Sequence, residues 1–175
     1  MGSHKADRLA DNLLAILAVK KPPIPVEQIA ESQGAIIVRN YFSGHESGFA
    51  LREGSRWIIG VNTATSRRRQ RFTIAHELGH LLMHDNKRLI TDYSVLVGRR
   101  DNRSSLGTDD EEIGANRFAA ALLMPRDLVV AELEKELELA EASSRDELIA
   151  RIARTFDVST EAMGYRLVNL SIITA

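Results

Sequence analysis

The sequence predicts an α+β fold, in which a small antiparallel sheet packs on one long helix and a C-terminal helical region follows. Two observations predict this order. Short runs rich in β-branched and aromatic residues, separated by Gly and Ser turns, occupy residues 35–42, 48–53 and 56–62, a pattern typical of neighbouring strands. From residue 66 onwards, apolar residues recur mainly at helical spacing, which is typical of helices that cover such a sheet.

Two helices are predicted before the sheet. Residues 9–19 carry apolar side chains on one helical face, and this pattern ends at Lys20-Lys21-Pro22-Pro23, because proline stops a helix. Residues 25–33 form the second helix, which ends at Gly34. Between the second and third strands, Glu53-Gly54-Ser55 is a predicted hairpin turn.

Five helices are predicted after the sheet. They span residues 66–84, 110–124, 126–139, 144–156 and 159–170. Asp127, Ser144 and Ser159 are predicted N-caps, because their side-chain oxygens can accept hydrogen bonds from the first helical turn. Residues 85–109 have no period and are predicted to form a long loop. We therefore expect a first domain at residues 5–125 and a C-terminal helical, helix-turn-helix-like region at residues 126–175.

Composition excludes several classes of protein. The 175 residues carry 23 basic and 24 acidic side chains, so net charge gives no general attraction to nucleic acid or to an anionic membrane. The absence of cysteine excludes disulfides and thiolate sites and fits a cytoplasmic protein. No apolar run approaches the roughly 20 residues that span a bilayer. Residues 1–4 resemble an expression remnant, and we exclude them from the fold prediction.

The stretch His76-Glu77-Leu78-Gly79-His80 has the pattern H-E-x-x-H within a helical segment. Residues four apart lie on one face of a helix, so His76 and His80 can bind the same metal ion through their imidazoles. Glu77 lies beside the first of them, where it can accept a proton from water that such an ion activates. The alternative is a chance match, in which the histidines are ordinary core residues.

A catalytic zinc site needs a third protein ligand. His84 continues the spacing but lies two turns from His76, about 12 Å along the axis, so it is predicted to be structural or at the margin of the site. The acidic start of the next helix offers Glu111 and Glu112. Glu112 is favoured because it shares a helical face with Asn116, whose side chain can accept a hydrogen bond from a ligand histidine.

The helix that carries Glu112 is predicted to pack closely against the histidine helix. Alanines at positions 115, 119, 120 and 121 leave room for the two backbones to approach. The predicted buried face of this helix is made up of Ile113, Phe118, Ala119, Leu122 and Leu123.

Several segments of the sequence resemble a known family of proteins. The segments "NTATSRRRQRFTIAHELGHLLMH" (62–84) and "EEIGANRFAAALLMP" (111–125) resemble the ImmA/IrrE family of metallo-endopeptidases. Three further segments resemble the same family, "IPVEQIAESQGAIIV" (24–38), "SGFAL" (47–51) and "FDVSTEAMGYRL" (156–167). The resemblance covers most of the chain.

This resemblance implies a zincin-like fold of the gluzincin type, in which zinc is bound by His76, His80 and Glu112 and Glu77 is the general base. Manganese is an alternative ion in the cell. The resemblance also implies a protein substrate, a helix-turn-helix repressor of the XRE type, whose cleavage derepresses genes of a mobile element or of a stress response. Related zinc peptidases add a His or Tyr donor to stabilise the oxyanion, and the candidates are His84, Tyr93, Tyr41 and Tyr165.

The radiation-response members of the family resemble this chain plus a C-terminal sensor-like domain. Since the sequence stops at Ala175, we expect a short member of the mobile-element type. Residues 85–110 match no motif of the family, and either a substrate-facing flap or a disordered loop is expected there.

Two other functions compete with proteolysis. Residues 145–170 read as a helix, a short turn and a second helix with Arg166, which is typical of DNA-binding modules. Few other basic residues lie there, so protein docking is favoured over DNA binding. The basic cluster at residues 67–71 is interpreted as a solvated first helical turn, with guidance of an acidic substrate as the alternative. The remaining competitor is a regulator that binds its repressor or DNA without cutting it.

Overall fold

The computed structural model of the protein describes residues 2–43, 47–53, 56–83, 105–139 and 144–174. Within these ranges the chain forms seven helices and three strands, which confirms the α+β prediction. The first six elements are α1 (Gly2–Ile16), α2 (Val26–Ser32), β1 (Ala35–Asn40), β2 (Gly48–Glu53), β3 (Arg56–Asn62) and α3 (Arg67–Met83). The remaining four are α4 (Ser105–Leu123), α5 (Arg126–Leu139), α6 (Arg145–Phe156) and α7 (Thr160–Asn169).

The sheet is mixed, so the prediction of a purely antiparallel sheet is wrong. The strand order is β1-β3-β2, in which β1 runs parallel to β3 and β2 runs antiparallel to it. The last four residues of β3 are buried, as expected for a strand that has a neighbour on each side. Because β3 is central, β1 and β2 flank it instead of pairing with each other.

Most helix positions agree with the prediction, and the differences lie at the ends. Ser144 and Ser159 cap α6 and α7 through their side chains, as predicted. Asp127 does not cap α5, because the helix already begins at Arg126 and Asp127 lies in its first turn. The first helix begins at Gly2 and ends at Ile16 instead of Val19, since Ala18 has a φ of 52° that no α-helix accommodates.

Helix α3 lies at the centre of the structure. On one side it packs against the sheet, where a β-carbon at Gly48 would collide with the side chain of Thr73. On another side it packs against α4, whose residues Phe118, Ala119 and Leu122 are fully buried. The histidine motif is therefore built into the core of the protein. In the part of the chain that the structure describes, no helix has the length and apolar character needed to span a membrane.

A buried arginine joins the C-terminal helices to the start of the chain. The side chain of Arg166 on α7 is 5% exposed, and its Nη1 lies 3.3 Å from Asp7 Oδ1 on α1. Its Nε donates a hydrogen bond to the carbonyl oxygen of Met124, at the end of α4. Asp7 also pairs with Arg117 on α4, with 2.7 Å between Oδ2 and Nε. Asp7 therefore connects α1 with both α4 and α7.

A second ionic cluster corrects the interpretation of the basic stretch at 67–71 as a solvated turn for one of its residues, Arg71. Arg67 and Arg68 are exposed, but Arg71 is buried. All three lie within 4.0 Å of the carboxylate of Asp157, in the turn between α6 and α7. The Nη2 of Arg71 also donates to the carbonyl oxygen of Ile24 at 2.9 Å. Arg71 points inward because position 71 falls on the same helical face as the buried residues of α3.

Candidate metal centre

The structure brings His76, His80 and Glu112 together where α3 faces α4. The Nε2 atoms of the two histidines are 3.0 Å apart. Glu112 Oε2 lies 3.3 Å from His76 Nε2, and Glu112 Oε1 lies 3.1 Å from His80 Nε2. In the described part of the chain, these three residues form a group whose ligand-type atoms all lie within 4.8 Å of one another.

This donor set fits a divalent metal ion. Two ligand atoms that are each about 2.0–2.1 Å from a tetrahedral ion lie about 3.3 Å from each other. The two histidine nitrogens are 3.0 Å apart, and each lies 3.1–3.3 Å from a different oxygen of Glu112, so each of these contacts is close to that value. Two imidazoles and one carboxylate also leave one position of a four-coordinate ion open for water or substrate.

Asn116 and Phe72 hold the ring of His76. The Nδ1 of His76 lies 3.1 Å from Asn116 Oδ1, so the tautomer that donates from Nδ1 leaves the Nε2 lone pair facing His80 and Glu112. The ring of Phe72 stacks beside the imidazole at 6.3 Å between centroids. Outer contacts of this kind fix the orientation of metal-binding histidines. The predicted partnership of Asn116 with a histidine is therefore present.

The two helices approach closely because one residue of the motif is glycine. A β-carbon at Gly79 would lie 2.9 Å from Phe118 Cδ1 and 3.3 Å from Ala115 Cα. A residue larger than glycine at this position requires the Phe118 ring or the two helices to shift. The absence of a side chain at Gly79 thus allows Glu112 on α4 to reach the histidines of α3, and the small residue at 115 contributes as predicted.

The electrostatics of the group favour an ionised Glu112. Side-chain hydrogen bonds from His76 and then His80, which form when their Nε2 atoms carry the proton, hold the pKa of the Glu112 carboxyl well below its usual range, although partial burial acts in the opposite direction. A carboxylate that stays ionised is ready to bind a cation. The side chain of Glu112 is 42% exposed and that of His80 is 3% exposed, so the group opens to solvent on the α4 side.

The other predicted site residues are Glu77, His84 and Tyr93. Glu77 is 5% exposed and lies between the two histidines on α3, at the flank of the face that carries them. His84 and Tyr93 lie outside the described residues. The ligand role of His76, His80 and Glu112 and the catalytic role of Glu77 stay predictions.

A cleft beside this group was not anticipated from the sequence. It has a volume of ≈ 980 Å³ and lies between the first turns of α3, the second half of α4 and the length of α7. Its apolar lining comes from Phe72, Ile113, Ala120, Met124, Val158, Ala162 and Tyr165. Ile113, which was predicted to be buried, is 63% exposed, because it lies on the side of α4 that faces the cleft. The sequence signal that could have indicated this cleft is the apolar Ile113 directly after the candidate ligand Glu112.

A known protein family matches most of the chain. Residues 30–168 match a peptidase family whose domain is described as IrrE N-terminal-like. The matched range begins in α2 and ends in α7, so it contains the whole sheet, the histidine motif and Glu112.

Two individual proteins are similar to this chain. The radiation response metalloprotease IrrE of Deinococcus radiodurans is 34% identical over 111 residues, which is 63% of this chain and 30% of that protein. The chain therefore matches less than a third of the length of this relative. A solved structure of a Mycobacterium tuberculosis transcriptional regulator superposes with a TM-score of 0.64 at 16% identity, over 94% of this chain and 46% of the regulator. That likeness shows the fold alone.

Proposed function

We propose, from the premise that this chain belongs to the ImmA/IrrE family of metallopeptidases, that it is a zinc-dependent endopeptidase. Its proposed substrate is a helix-turn-helix repressor of the XRE type, whose cleavage derepresses the genes that the repressor controls. One observation carries the proposal. Two imidazoles and a carboxylate meet with their ligand-type atoms within 4.8 Å of one another, and Glu77 lies beside the two histidines on α3.

The proposed ligands are His76, His80 and Glu112, with zinc favoured and manganese as an alternative ion in the cell. The divalent affinity order favours zinc over manganese for such a set of ligands. When bound, the ion supplies a Lewis acid that acidifies water and polarises the carbonyl of the bond to be cut. A gluzincin-type arrangement describes this ligand set, and cytoplasmic location remains a prediction from composition.

Within this proposal each nearby side chain has a distinct task. Glu77 accepts the proton of the attacking water at its carboxylate and then donates it to the leaving amine. Asn116 holds the Nδ1 proton of His76, which keeps the other nitrogen free for the ion. Burial of Glu77 and His80 limits the number of water molecules around the reacting group, which strengthens electrostatic interactions there.

The competing DNA-binding function loses its main support. Arg166 is the basic residue of the second helix in the helix-turn-helix-like segment, and a phosphate contact would require its guanidinium at the surface. Instead, Arg166 is 4% exposed and bonded to Asp7 and the Met124 carbonyl oxygen. Glu161 near the start of α7 opposes phosphate binding as well. A regulator that binds the repressor without cutting it remains the alternative.

The decisive experiment mixes the zinc-loaded protein with a helix-turn-helix repressor of the XRE type from the same organism. The wild type is compared with Glu77→Gln and with Glu138→Gln, a matched change on an exposed part of α5. We expect a discrete cut that a chelator abolishes, that Glu77→Gln abolishes and that Glu138→Gln leaves unchanged. Zinc binding by Glu77→Gln shows that the metal centre is intact. Derepression in cells that persists with Glu77→Gln contradicts proteolysis and favours the binding regulator.

A further inference from the structure

Of the arginines that line the cleft between α3, α4 and α7, Arg69 is the one that contacts no carboxylate among the described residues. We infer that Arg69 selects the substrate, by binding an acidic side chain about three residues from the bond that is cut. In this arrangement an extended segment of the substrate lies along the cleft. The inference rests on the proposed endopeptidase function and names a specificity residue for it.

The cleft is continuous with the candidate metal centre. Asn116 lines the cleft and is also the residue that bonds His76. Phe72 lines it too and stacks against the same imidazole. A peptide whose scissile bond lies at the three ligand-type residues therefore has the cleft as the adjoining surface on one side.

The apolar part of the cleft suits side chains close to the cut. Tyr165 is 66% exposed and Ile113 is 63% exposed, and both line the cleft. Exposed apolar side chains grouped in a concave surface are typical of binding sites. An extended peptide buries such residues under its own apolar side chains, and its backbone can remain hydrated.

The charges of the cleft point to an acidic residue in the substrate. Four arginines and one glutamate, Glu161, line it. Arg117 and Arg166 are paired with Asp7, and Arg68 is paired with Asp157. The guanidinium of Arg69 instead donates to the hydroxyl of Ser47 and lies over the ring of Phe72. Among the described residues, no carboxylate pairs with Arg69.

The position of Arg69 sets the predicted distance from the cut. Arg69 and His76 are seven residues apart on α3, which corresponds to about 10.5 Å along the helix axis. An extended peptide advances about 3.3 Å per residue, so that distance corresponds to about three residues. The contacts with Ser47, at 3.1 Å, and with Phe72, at 6.0 Å, restrain the guanidinium before substrate binds, which lowers the entropic cost of binding.

The test profiles cleavage preference with a synthetic library of short peptides randomised at every position, read by mass spectrometry. The zinc-loaded wild type is compared with Arg69→Gln, Arg69→Glu and Arg67→Gln. Arg67 is the matched control because it is 81% exposed on the same helical turn and pairs with Asp157, and it does not line the cleft. Glu77→Gln identifies cuts made by any contaminating protease.

We expect the wild type to favour Asp or Glu by about twofold to fivefold at one position near the third residue from the cut, as for a partly exposed ion pair. Arg69→Gln should remove this preference, and Arg69→Glu should replace it with a preference for Lys or Arg. Arg67→Gln should retain the profile of the wild type. Glu77-dependent cutting with the same profile in the wild type and Arg69→Glu overturns the inference and leaves the protease intact. The absence of any Glu77-dependent cut overturns both.

Discussion

Gly79 on α3 faces Phe118 on α4 so closely that a β-carbon at position 79 would lie 2.9 Å from the Phe118 Cδ1 atom. This contact sets the distance between the helix that carries the two histidines and the helix that carries Glu112. The ring of Phe118 is fully buried and has little room to move away. The spacing of the candidate metal centre therefore depends on a residue that cannot itself bind metal.

Gly79→Ala is expected to separate α3 from α4 and to weaken zinc binding. Overpacking of this kind costs about 1–3 kcal/mol, while the gain in helix propensity is only about 1 kcal/mol. Calorimetry measures the change in stability, and a chelator competition measures the change in zinc affinity. Gly164→Ala on α7 is the matched control, because nothing lies within 4 Å of its added β-carbon, and it should be neutral or stabilising. Equal zinc affinity in Gly79→Ala and the wild type contradicts the spacing role.

Substitutions around the metal centre should separate ligands from supporting residues. Glu112→Ala removes one of the three donors and should abolish stoichiometric zinc binding at neutral pH. Asn116→Ala removes only the hydrogen bond to His76 Nδ1 and should weaken affinity by about 10–100-fold. Zinc content after dialysis, measured by atomic emission, distinguishes the two. Full zinc retention in Glu112→Ala shows that another group supplies the third ligand.

Zinc affinity should fall on acidification because of the histidines. His76 and His80 hold the pKa of Glu112 well below its usual range. Its carboxylate therefore stays ionised throughout the pH interval of this experiment. Imidazole nitrogens must be free of protons to bind a metal, and histidines change charge between about pH 5 and 8. Affinity should therefore decline from about pH 7 to about pH 5. A pH-independent affinity over this interval, measured by chelator competition, contradicts the two-histidine site.

Asp7→Asn should destabilise the protein by about 3 kcal/mol, because it leaves the buried charge of Arg166 without its carboxylate. Urea unfolding measures the free energy. Lys135→Ala is the control, since Lys135 is 60% exposed in its pair with Glu132 and such pairs contribute at most about 1 kcal/mol. If the two variants lose equal stability, the Asp7–Arg166 pair contributes no more to the free energy of unfolding than the exposed Lys135–Glu132 pair does.

Substitutions at Asp157 distinguish the contribution of its charge to stability from the contribution of its backbone conformation. Asp157 has a φ of 52°, which Asn adopts at little cost and Ala only with strain. Asp157→Asn should lose the attraction to Arg71 and its neighbours, about 1–2 kcal/mol at low salt, and high salt should reduce the difference. Asp157→Ala should lose about 1 kcal/mol more. Thermal unfolding of both variants at two salt concentrations measures this, and equal stability of the two excludes a backbone contribution.

The sequence predicted local features well. Helix caps depend on a side chain and the next three residues, so Ser144 and Ser159 were identified correctly. The H-E-x-x-H spacing and the shared face of Glu112 and Asn116 depend only on helical geometry. The structure brings together the side chains that this geometry selected.

Features that depend on distant segments were not predicted. Strand order depends on which strand is buried on both sides, and only the packing of β3 in the fold reveals this. Arg71 looked like part of a solvated basic turn because its partner Asp157 lies 86 residues later. Arg166 looked available for phosphate because Asp7, 159 residues away, is invisible in its local sequence.

The long separation between Arg166 and Asp7 has a consequence for the order of folding. The Met124 carbonyl oxygen at the end of α4 and the carboxylate of Asp7 receive the Arg166 guanidinium only after α7 has been synthesised. Contacts with such large sequence separation form slowly and late. On the ribosome, the histidine helix and α4 are therefore synthesised before α7 can supply these contacts, and during that interval the apolar surface that α7 will cover is open to non-native association.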